Sequence, residues 1–290
     1  MKKILIIIIS LILIPYIVIS CFYKEKEDIV MVKVKTKKDV IVISLEEYVM
    51  GVIAGEMPAE FDIEALKAQA VAARTYVLKK LSNGNEYILD NTLDQVYLSN
   101  DVLKIKWKNK YKKYLTKIKK AIKETKGEYL VYNDEIIDAF FFSTSTGYTE
   151  NVGEVFKEYR PYLKSVESSW DDISPVFREK YFFKKENFCL KLGIECSNIN
   201  VQILETTSTG RVKKIKVNNK EFSGNEFREK LGLKSNYFDI IVNQDIYIET
   251  KGYGHGVGMS QYGALGMALK GYKYDEILKY YYQDVEIKKL

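Results

Sequence analysis

A single glutamate, Glu56, is the first candidate for acid–base chemistry in this chain of 290 residues. It lies between Gly55 and Pro58, where a predicted helix breaks and a turn can direct the side chain into a cleft. The chain has one histidine, His255, and three cysteines, too few for a zinc site of four cysteines or of two cysteines and two histidines. A serine or cysteine enzyme with a catalytic histidine would have to use His255. Carboxylates are therefore the default acids and bases, although an isolated glutamate is most often a solvated surface charge.

A run of hydroxyl-bearing residues is the second candidate, because its groups suit a sugar ligand. Hydroxyls and amides can hydrogen-bond sugar hydroxyls, and a tyrosine ring is a flat apolar surface with a polar tip. The alternative is a polar turn. The run is Phe142-Ser143-Thr144-Ser145-Thr146-Gly147-Tyr148-Thr149-Glu150-Asn151, and its candidate ligand-binding residues are Ser143, Ser145, Tyr148 and Thr149.

The third candidate is a glycine-rich segment, residues 252–264, which contains His255. Its spacing does not match the nucleotide-binding pattern G-x-G-x-x-G. Alternating glycines allow a close approach of the backbone to a ligand, and we expect them to leave the imidazole exposed. A packed or solvated histidine is the alternative, and a cleft or structural role is favoured over proton transfer. Further ligand-binding candidates in this segment are Ser260, Gln261 and Tyr262.

Two predicted helices must position Glu56. The first covers residues 46–54, and the second begins with Asp62 as N-cap and carries apolar residues at spacings of three and four. Lys67 and Arg74 lie on a stripe of the second helix, beside its core face. They could orient an anionic or sugar ligand, or they could form ordinary ion pairs.

The rest of the pattern predicts an α+β fold. A hairpin is indicated within residues 29–44, and further strands and helices follow without a Pro/Gly/Ser linker or an internal repeat. We expect residues 24–290 to form a single mixed domain outside the cytoplasm, with two lobes as an option. The predicted strands are 129–132, 138–143, 201–205, 212–217 and 246–250, and a further predicted helix is 225–231.

Residues 104–126 contain eleven lysines and a single acid, so this stretch holds more positive charge than the net +6 of the whole chain. Apolar side chains recur in it every three or four positions, which predicts one amphipathic helix with a solvated basic face. Nucleic acid is a poor partner outside the cell. An anionic wall polymer or a membrane surface remains an option.

The N-terminus predicts a membrane location. Lys2 and Lys3 precede an apolar run, residues 4–22, that as a helix would be about 28 Å long, enough to cross a bilayer. We expect an uncleaved single-pass anchor over residues 1–23. The alternatives are lipidation of Cys21 and a cleaved signal peptide. The other cysteines, Cys189 and Cys196, could form a disulfide or be two buried side chains.

Taken together and in this order, several segments resemble the stage II sporulation protein D family, the peptidoglycan lytic transglycosylases of endospore-forming bacteria. The resemblance extends from about Val32 to Ile287. The matching segments are Leu45-Glu46-Glu47-Tyr48-Val49, Ala54-Gly55-Glu56-Met57-Pro58-Ala59-Glu60-Phe61, residues 65–76, Asp94-Gln95-Val96-Tyr97, Thr125-Lys126-Gly127, residues 143–150, Pro161-Tyr162-Leu163 and residues 254–264.

The resemblance implies roles for particular residues. Glu56 falls on the family's catalytic glutamate, and Lys67, Arg74 and Tyr148 fall on positions implicated in substrate binding or activity. It also implies a substrate, glycan strands already stripped of stem peptides by an amidase, stage II sporulation protein P, with protein M as a membrane anchor for both. Some relatives have His or Cys in the hydroxyl-rich loop and bind zinc there. Because residues 142–146 here are Phe, Ser and Thr, we predict neither a metal nor another cofactor.

One carboxylic acid suffices for a lytic transglycosylase. It protonates the glycosidic oxygen between MurNAc and GlcNAc, and its carboxylate then takes the proton of the muramyl C6 hydroxyl, which closes a 1,6-anhydro ring. We expect Glu56 to be partly desolvated, with Lys67 and Arg74 orienting substrate rather than pairing with it. A muramidase would need a second carboxylate about 5 to 9 Å away, which spacing does not identify. Because related domains occur in amidase enhancers, a wall-binding activator without catalysis is the other alternative.

Overall fold

In the computed structural model, residues 29–36, 39–91 and 94–290 are described, and they combine helices with several small sheets. This confirms the mixed α+β prediction. The predicted anchor over residues 1–23, including Cys21, lies outside the described residues. Within the described part, no helix combines the length and the apolar character needed to cross a bilayer.

One long helix, α2, packs against four other helices, α1, α4, α8 and α9. The bounds are α1 (Leu45–Glu56), α2 (Ile63–Ser82), α3 (Asn100–Trp107), α4 (Tyr111–Glu124), α5 (Val152–Val155), α6 (Lys185–Leu192), α7 (Gly224–Leu231), α8 (Gln261–Leu269) and α9 (Tyr274–Tyr281), with 3-10 helices at Lys108–Lys110 and Ser169–Ile173.

The strands form small sheets, with the orders β2-β1-β3, β14-β4-β5, β13-β6, β11-β12-β7 and β10-β9-β8. Their bounds are β1 (Met31–Lys35), β2 (Val40–Ser44), β3 (Ile88–Leu89), β4 (Glu128–Tyr132), β5 (Glu135–Ile136), β6 (Phe141–Phe142), β7 (Arg178–Phe183), β8 (Val201–Thr206), β9 (Val212–Val217), β10 (Lys220–Ser223), β11 (Phe238–Val242), β12 (Ile246–Lys251), β13 (Met259–Ser260) and β14 (Glu286–Lys289). The predicted hairpin is confirmed, since β1 and β2 pair antiparallel.

The described residues form two separate hydrophobic cores. The first is built around α2 and includes Leu66, Ile118 and Tyr281, all with at most 1% of their surface exposed. The second is smaller and falls within residues 183–248, with Phe188 and Phe227 fully buried. Apolar surface buried in either core stabilises the fold by about 25 cal/mol per Å².

The ends of the first two helices follow from their capping residues. Ser44 caps α1 by accepting a hydrogen bond from the Glu47 N–H, and Asp62 caps α2 by accepting one from the Glu64 N–H. The predicted N-cap at Asp62 is thus confirmed. At its other end, α1 stops at Glu56 because Met57, which precedes Pro58, adopts an extended backbone.

Two predictions of regular structure were wrong in extent. The lysine-rich stretch is not one helix, because Lys108 has a positive φ of 47° and separates α3 from α4. The predicted strand 138–143 shrinks to Phe141–Phe142, because the Phe140 N–H turns back to the Asp138 carbonyl.

The two cysteines of the smaller core region, for which both options were open, are joined. Cys189, inside α6, is disulfide-bonded to Cys196, with their Cα atoms 5.6 Å apart. The bridge closes the turn that follows α6 and lies in the part of the chain that contributes no candidate site residue.

Candidate active site around Glu56

Glu56 is the last residue of α1, and one backbone hydrogen bond fixes its carboxylate. The Val96 N–H donates to Glu56 Oε1 at 2.7 Å. The side chain is partly exposed at the helix end. A ligand can therefore reach the carboxylate, while the hydrogen bond limits its orientations.

The electrostatic surroundings of Glu56 favour its protonated form. Burial raises the pKa of Glu56, and the hydrogen bond from Val96 offsets part of this effect. Within residues 29–36, 39–91 and 94–290, no lysine or arginine forms an ion pair with it. A desolvated carboxyl group without a cation partner keeps its proton to higher pH than a surface glutamate does. Glu56 can therefore act as a general acid.

Two glycines of α1 allow the helix to lie close to residues 96–98, whose Val96 N–H binds the Glu56 carboxylate. A Cβ on Gly55 would lie 2.4 Å from the Val96 carbonyl oxygen, and one on Gly51 would lie 2.3 Å from the Tyr97 ring. The Gly51 carbonyl also accepts the Leu98 N–H at 3.1 Å. This role of Val96 was not predicted from the sequence. The signal available was the pair of glycines four residues apart, which share one helix face.

Arg74 and Lys67 are both engaged in ion pairs with residues other than Glu56. The fully buried Arg74 donates two hydrogen bonds to Glu46, from Nε to Oε1 at 3.0 Å and from Nη2 to Oε2 at 2.6 Å. Lys67 lies 2.8 Å from Glu64 and 2.6 Å from Glu124. The pairs connect α2 with α1 and α4. Arg74 has no exposed surface for a ligand, so its observed role is structural, and substrate contact by Lys67 stays a prediction.

The hydroxyl run is organised by a buried carboxylate that the sequence analysis did not single out. The Ser145 N–H and hydroxyl both donate to Asp171, each at 2.9 Å, and the Ser260 hydroxyl donates to the same carboxylate. All three residues have no exposed surface. Asp171 therefore brings Ser145 and Ser260 together from distant segments, and their hydroxyl groups are bonded within the protein.

Tyr148 is the residue of the run that is open to solvent. Its side chain is 51% exposed, whereas Thr149 is buried and accepts the Val166 N–H at 2.9 Å. Ser143 is partly exposed. In this run, Tyr148 and Ser143 can therefore contact a ligand without rearrangement.

His255 is only partly exposed, and both ring nitrogens are bonded within the protein, contrary to the expectation from its glycine neighbours. Its Nδ1 accepts the Val257 N–H at 3.1 Å, so Nε2 carries the proton and donates to the Phe141 carbonyl, also at 3.1 Å. The imidazole packs among phenylalanine rings, including Phe142 and Phe156. Burial, together with the positive charge of Arg211, lowers the pKa of His255 to about 4.

The physical reason for the error lies in the glycine turns. Gly258 has a φ of 80°, and a Cβ there would lie 2.1 Å from the Phe140 carbonyl oxygen. The glycines therefore let the segment fold closely onto the protein itself rather than onto a ligand.

Tyr262 connects the glycine-rich segment with the residues that follow Glu56. Its ring packs edge to face against Phe61 with the centroids 4.9 Å apart, and its N–H donates to the Ser143 carbonyl at 3.0 Å. Gln261 is buried and lies 3.4 Å from Gln69 of α2. The structure thus joins the Glu56–Phe61 segment, Ser143 and Tyr262, and it places His255 and Arg74 in structural contacts.

The described residues do not fit the zinc site that the family resemblance raised as a possibility for the hydroxyl-rich loop. No group of three or more His, Cys, Asp or Glu side chains in this part of the chain is arranged to hold a metal ion. At the corresponding loop, Thr144 and Ser145 offer neutral hydroxyls that are bonded to Ser174 and Asp171. Zinc prefers thiolate, imidazole or carboxylate ligands.

Comparison with known proteins places the site in a family. A family model described as "Stage II sporulation protein" matches residues 33–132, which include Glu56 and Val96. Stage II sporulation protein D of Bacillus subtilis is 44% identical over 255 residues, covering 84% of this chain and 74% of that protein. The Bacillus amyloliquefaciens protein of the same name is also 44% identical.

A more distant relative has a different name. The amidase enhancer of Bacillus subtilis is 31% identical over 289 residues, which is 80% of this chain and 39% of that protein. The two matches at 44% identity cover most of both chains. The chain therefore belongs to the stage II sporulation protein D family.

Proposed function

We propose that this protein is a peptidoglycan lytic transglycosylase that cleaves the bond between MurNAc and GlcNAc and leaves 1,6-anhydroMurNAc ends. The observation that carries the proposal is the environment of Glu56. It is a partly buried carboxyl group with a raised pKa, fixed by the Val96 N–H and reachable from solvent. Such a group can start the reaction protonated.

In the proposed reaction, Glu56 serves in turn as acid and base. The protonated carboxyl group donates to the glycosidic oxygen as the bond breaks and positive charge develops on the muramyl ring. The carboxylate then accepts the proton of the C6 hydroxyl, whose oxygen bonds to the anomeric carbon. The proton count closes, because Glu56 ends protonated again. Neither water nor a second carboxylate takes part.

The exposed Tyr148 and the partly exposed Ser143 and Tyr262 are the proposed sugar contacts. Tyrosine rings can stack on sugar rings, and serine can hydrogen-bond their hydroxyls. The relatives at 44% identity are named as sporulation proteins. We propose accordingly that the substrate is septal glycan stripped of stem peptides, that stage II sporulation proteins P and M are partners, and that an N-terminal membrane anchor holds the domain outside the cytoplasm.

The test is mass spectrometry of products from the full chain incubated with peptide-free glycan strands. We expect 1,6-anhydro ends with the wild-type chain and none with Glu56→Gln. Glu47→Gln is the matched control, because Glu47 is an exposed glutamate on the same helix. Free reducing ends would instead indicate a muramidase. Undiminished anhydro product from Glu56→Gln would overturn the role of Glu56.

A second candidate function is the enhancement of an amidase without catalysis, supported by the likeness to the Bacillus subtilis amidase enhancer. In that case, the purified chain would release no glycan fragments but would raise the rate at which a companion amidase removes stem peptides. Measuring both activities on the same wall preparation separates the two functions.

A further inference from the structure

Part of the lysine-rich stretch borders the segment that carries Glu56. Lys106 of α3 donates from Nζ to the Ala54 carbonyl at 3.1 Å. Lys117 of α4 donates to the Glu60 carbonyl at 3.0 Å and to the Phe61 carbonyl. The two lysines thus contact the backbone on both sides of Glu56.

Lys110 and Lys113 extend this contact into a line of charge. Lys113 and Lys117 are four residues apart on one face of α4, and Lys110 immediately precedes this helix, with its Nζ 5.7 Å from the centroid of the Tyr114 ring. The hydrogen bond with Tyr114 lowers the pKa of Glu60, and the positive charges of Lys110 and Lys117 lower it further. Burial lowers the pKa of Lys117, and the charge of Lys113 adds to this effect. These groups are therefore close in space. We call Lys106, Lys110, Lys113 and Lys117 the lysine row.

The lysine row keeps unneutralised positive charge. In the described part of the chain, neither Lys110 nor Lys113 forms an ion pair, and both are exposed. The acids that face the row are Glu60, which accepts a hydrogen bond from Tyr114, and Asp62, which caps α2. Two carboxylates thus oppose four lysines. The excess charge lies beside the Glu56–Phe61 segment and attracts anions to it.

We propose that the lysine row is a binding subsite for a carboxylate-bearing polysaccharide strand, which it holds next to the bond at Glu56. This inference rests on the proposed function. Removal of a stem peptide leaves a free lactyl carboxylate on each MurNAc, so a stripped strand is a polyanion. Flexible ammonium groups suit such a ligand, because they can follow carboxylates without a fixed geometry. Because Lys106 and Lys117 contact the backbone on both sides of Glu56, a ligand held by the row would lie beside this carboxyl group, which favours a glycan strand over an anionic membrane.

The test starts from the full chain with Glu56→Gln, which limits cleavage, and compares two variants that each carry two further substitutions. Lys110→Gln/Lys113→Gln removes two charges of the row. Lys119→Gln/Lys123→Gln is the matched control, because it removes two exposed lysines of α4 that also form no ion pair within the described residues. Neither variant removes a buried group or a direct hydrogen bond to the Glu56–Phe61 segment. Lys110→Gln does remove the contact of Lys110 with the Tyr114 ring, so thermal melting checks that both variants fold.

Binding is measured on peptide-free glycan strands, on the same strands with methyl-esterified carboxylates, and on vesicles with anionic lipid. We expect the row variant to bind the free-acid strands about fivefold more weakly than the chain that carries Glu56→Gln alone. Its affinity should also depend less on salt concentration. The control should change by less than about twofold, and neither should change on esterified strands. Equal losses in both variants, no loss in the row variant, or a loss on vesicles alone would overturn the proposal.

The outcome is separable from that of the proposed function. Binding reports the subsite, whereas the product ends formed by the wild-type chain report the reaction. If the row variant loses affinity and the wild-type chain makes no anhydro ends, the proposed reaction is contradicted and the proposed subsite is supported. If the wild-type chain makes anhydro ends and the row variant binds as tightly as its parent, the reaction is supported and the subsite is contradicted.

Discussion

Arg211 and Glu150 form a fully buried ion pair between the smaller core and the hydroxyl run, residues 142–151. Arg211 Nε lies 3.1 Å from Glu150 Oε1, and neither side chain has exposed surface. Arg211 Nη1 also donates to the Gly254 carbonyl at 2.8 Å. Arg211 precedes β9, whose residues Val212 and Ile215 belong to the smaller core. The pair therefore joins that core to the hydroxyl run and to the glycine-rich segment.

Replacing Arg211 by methionine should lower the free energy of unfolding by about 3–5 kcal/mol, because Glu150 would keep its charge without a buried partner. Urea denaturation measures this loss. Lys33→Met is the control, since its partner Glu86 is exposed and such pairs contribute little. A cost for Arg211→Met no larger than that for Lys33→Met would show that the pair does not hold the segments together.

The activity should fall as pH rises through the pKa of Glu56, because the reaction starts from the protonated acid and burial raises that pKa. The same shift acts on stability. Between the ordinary glutamate pKa and the raised one, the folded chain binds more protons than the unfolded chain, so the stability that this group contributes is lost as pH rises. Glu56→Gln should thus be more stable than wild type at neutral pH.

The check on Glu56 is the urea midpoint of both chains at neutral pH and at a pH below the ordinary glutamate range, where the advantage of Glu56→Gln should shrink. Equal midpoints at both pH values would contradict a raised pKa.

His255 should change stability with pH in the opposite direction to Glu56. Its pKa in the folded chain is about 4, below the ordinary value of 6.5. Its stabilising contribution is present above pH 6.5 and is lost as pH falls towards 4, by up to about 1.4 kcal/mol per pH unit. We expect His255→Asn to lower stability at neutral pH, because both ring nitrogens lose backbone partners, and to remove this part of the pH dependence.

For the same reason, His255→Asn should leave the shape of the pH–activity profile around neutrality unchanged. Urea midpoints and rates measured across the pH range on the same samples test both statements. A neutral-pH titration step in the rate that disappears in His255→Asn would instead assign His255 to proton transfer.

Gly55→Ala should lower the reaction rate even under conditions in which the variant is fully folded. The new Cβ would meet the Val96 carbonyl at 2.4 Å, and the displacement would carry away the N–H that holds Glu56. Steady-state rates and urea denaturation separate the two effects. Gly153→Ala in α5 is the control, since its Cβ would lie 3.3 Å from the nearest carbonyl oxygen. A smaller rate loss for Gly55→Ala than for Gly153→Ala would contradict the role of Val96.

Local patterns in the sequence were sufficient for several elements near the site. The N-cap at Asp62, the end of α1 before Pro58 and the β1–β2 hairpin all depend on neighbouring residues, whose side-chain chemistry and backbone preferences act within a few positions. The same local information identified Glu56 as a carboxylate at a helix end.

Contacts between distant segments were beyond the reach of such patterns. His255 is less exposed than expected because Val257 and Phe141 bind its two ring nitrogens and the glycine turns fold the segment closely onto the protein. Asp171 escaped notice because its partners, Ser145 and Ser260, lie 26 and 89 residues away in the chain.

The sequence by itself restricted the candidate acids to carboxylates, because the chain has one histidine and three cysteines, and the order of its segments indicated the family that the relatives confirm. Only the tertiary structure decided which polar groups are free to act. Arg74 donates to Glu46, and Ser145 and Ser260 donate to Asp171, so these groups are bonded within the protein. Glu56 accepts one hydrogen bond, from Val96, and stays accessible to a ligand. The reason is that burial and partner choice depend on packing between segments far apart in the chain, which sets the desolvation of each group.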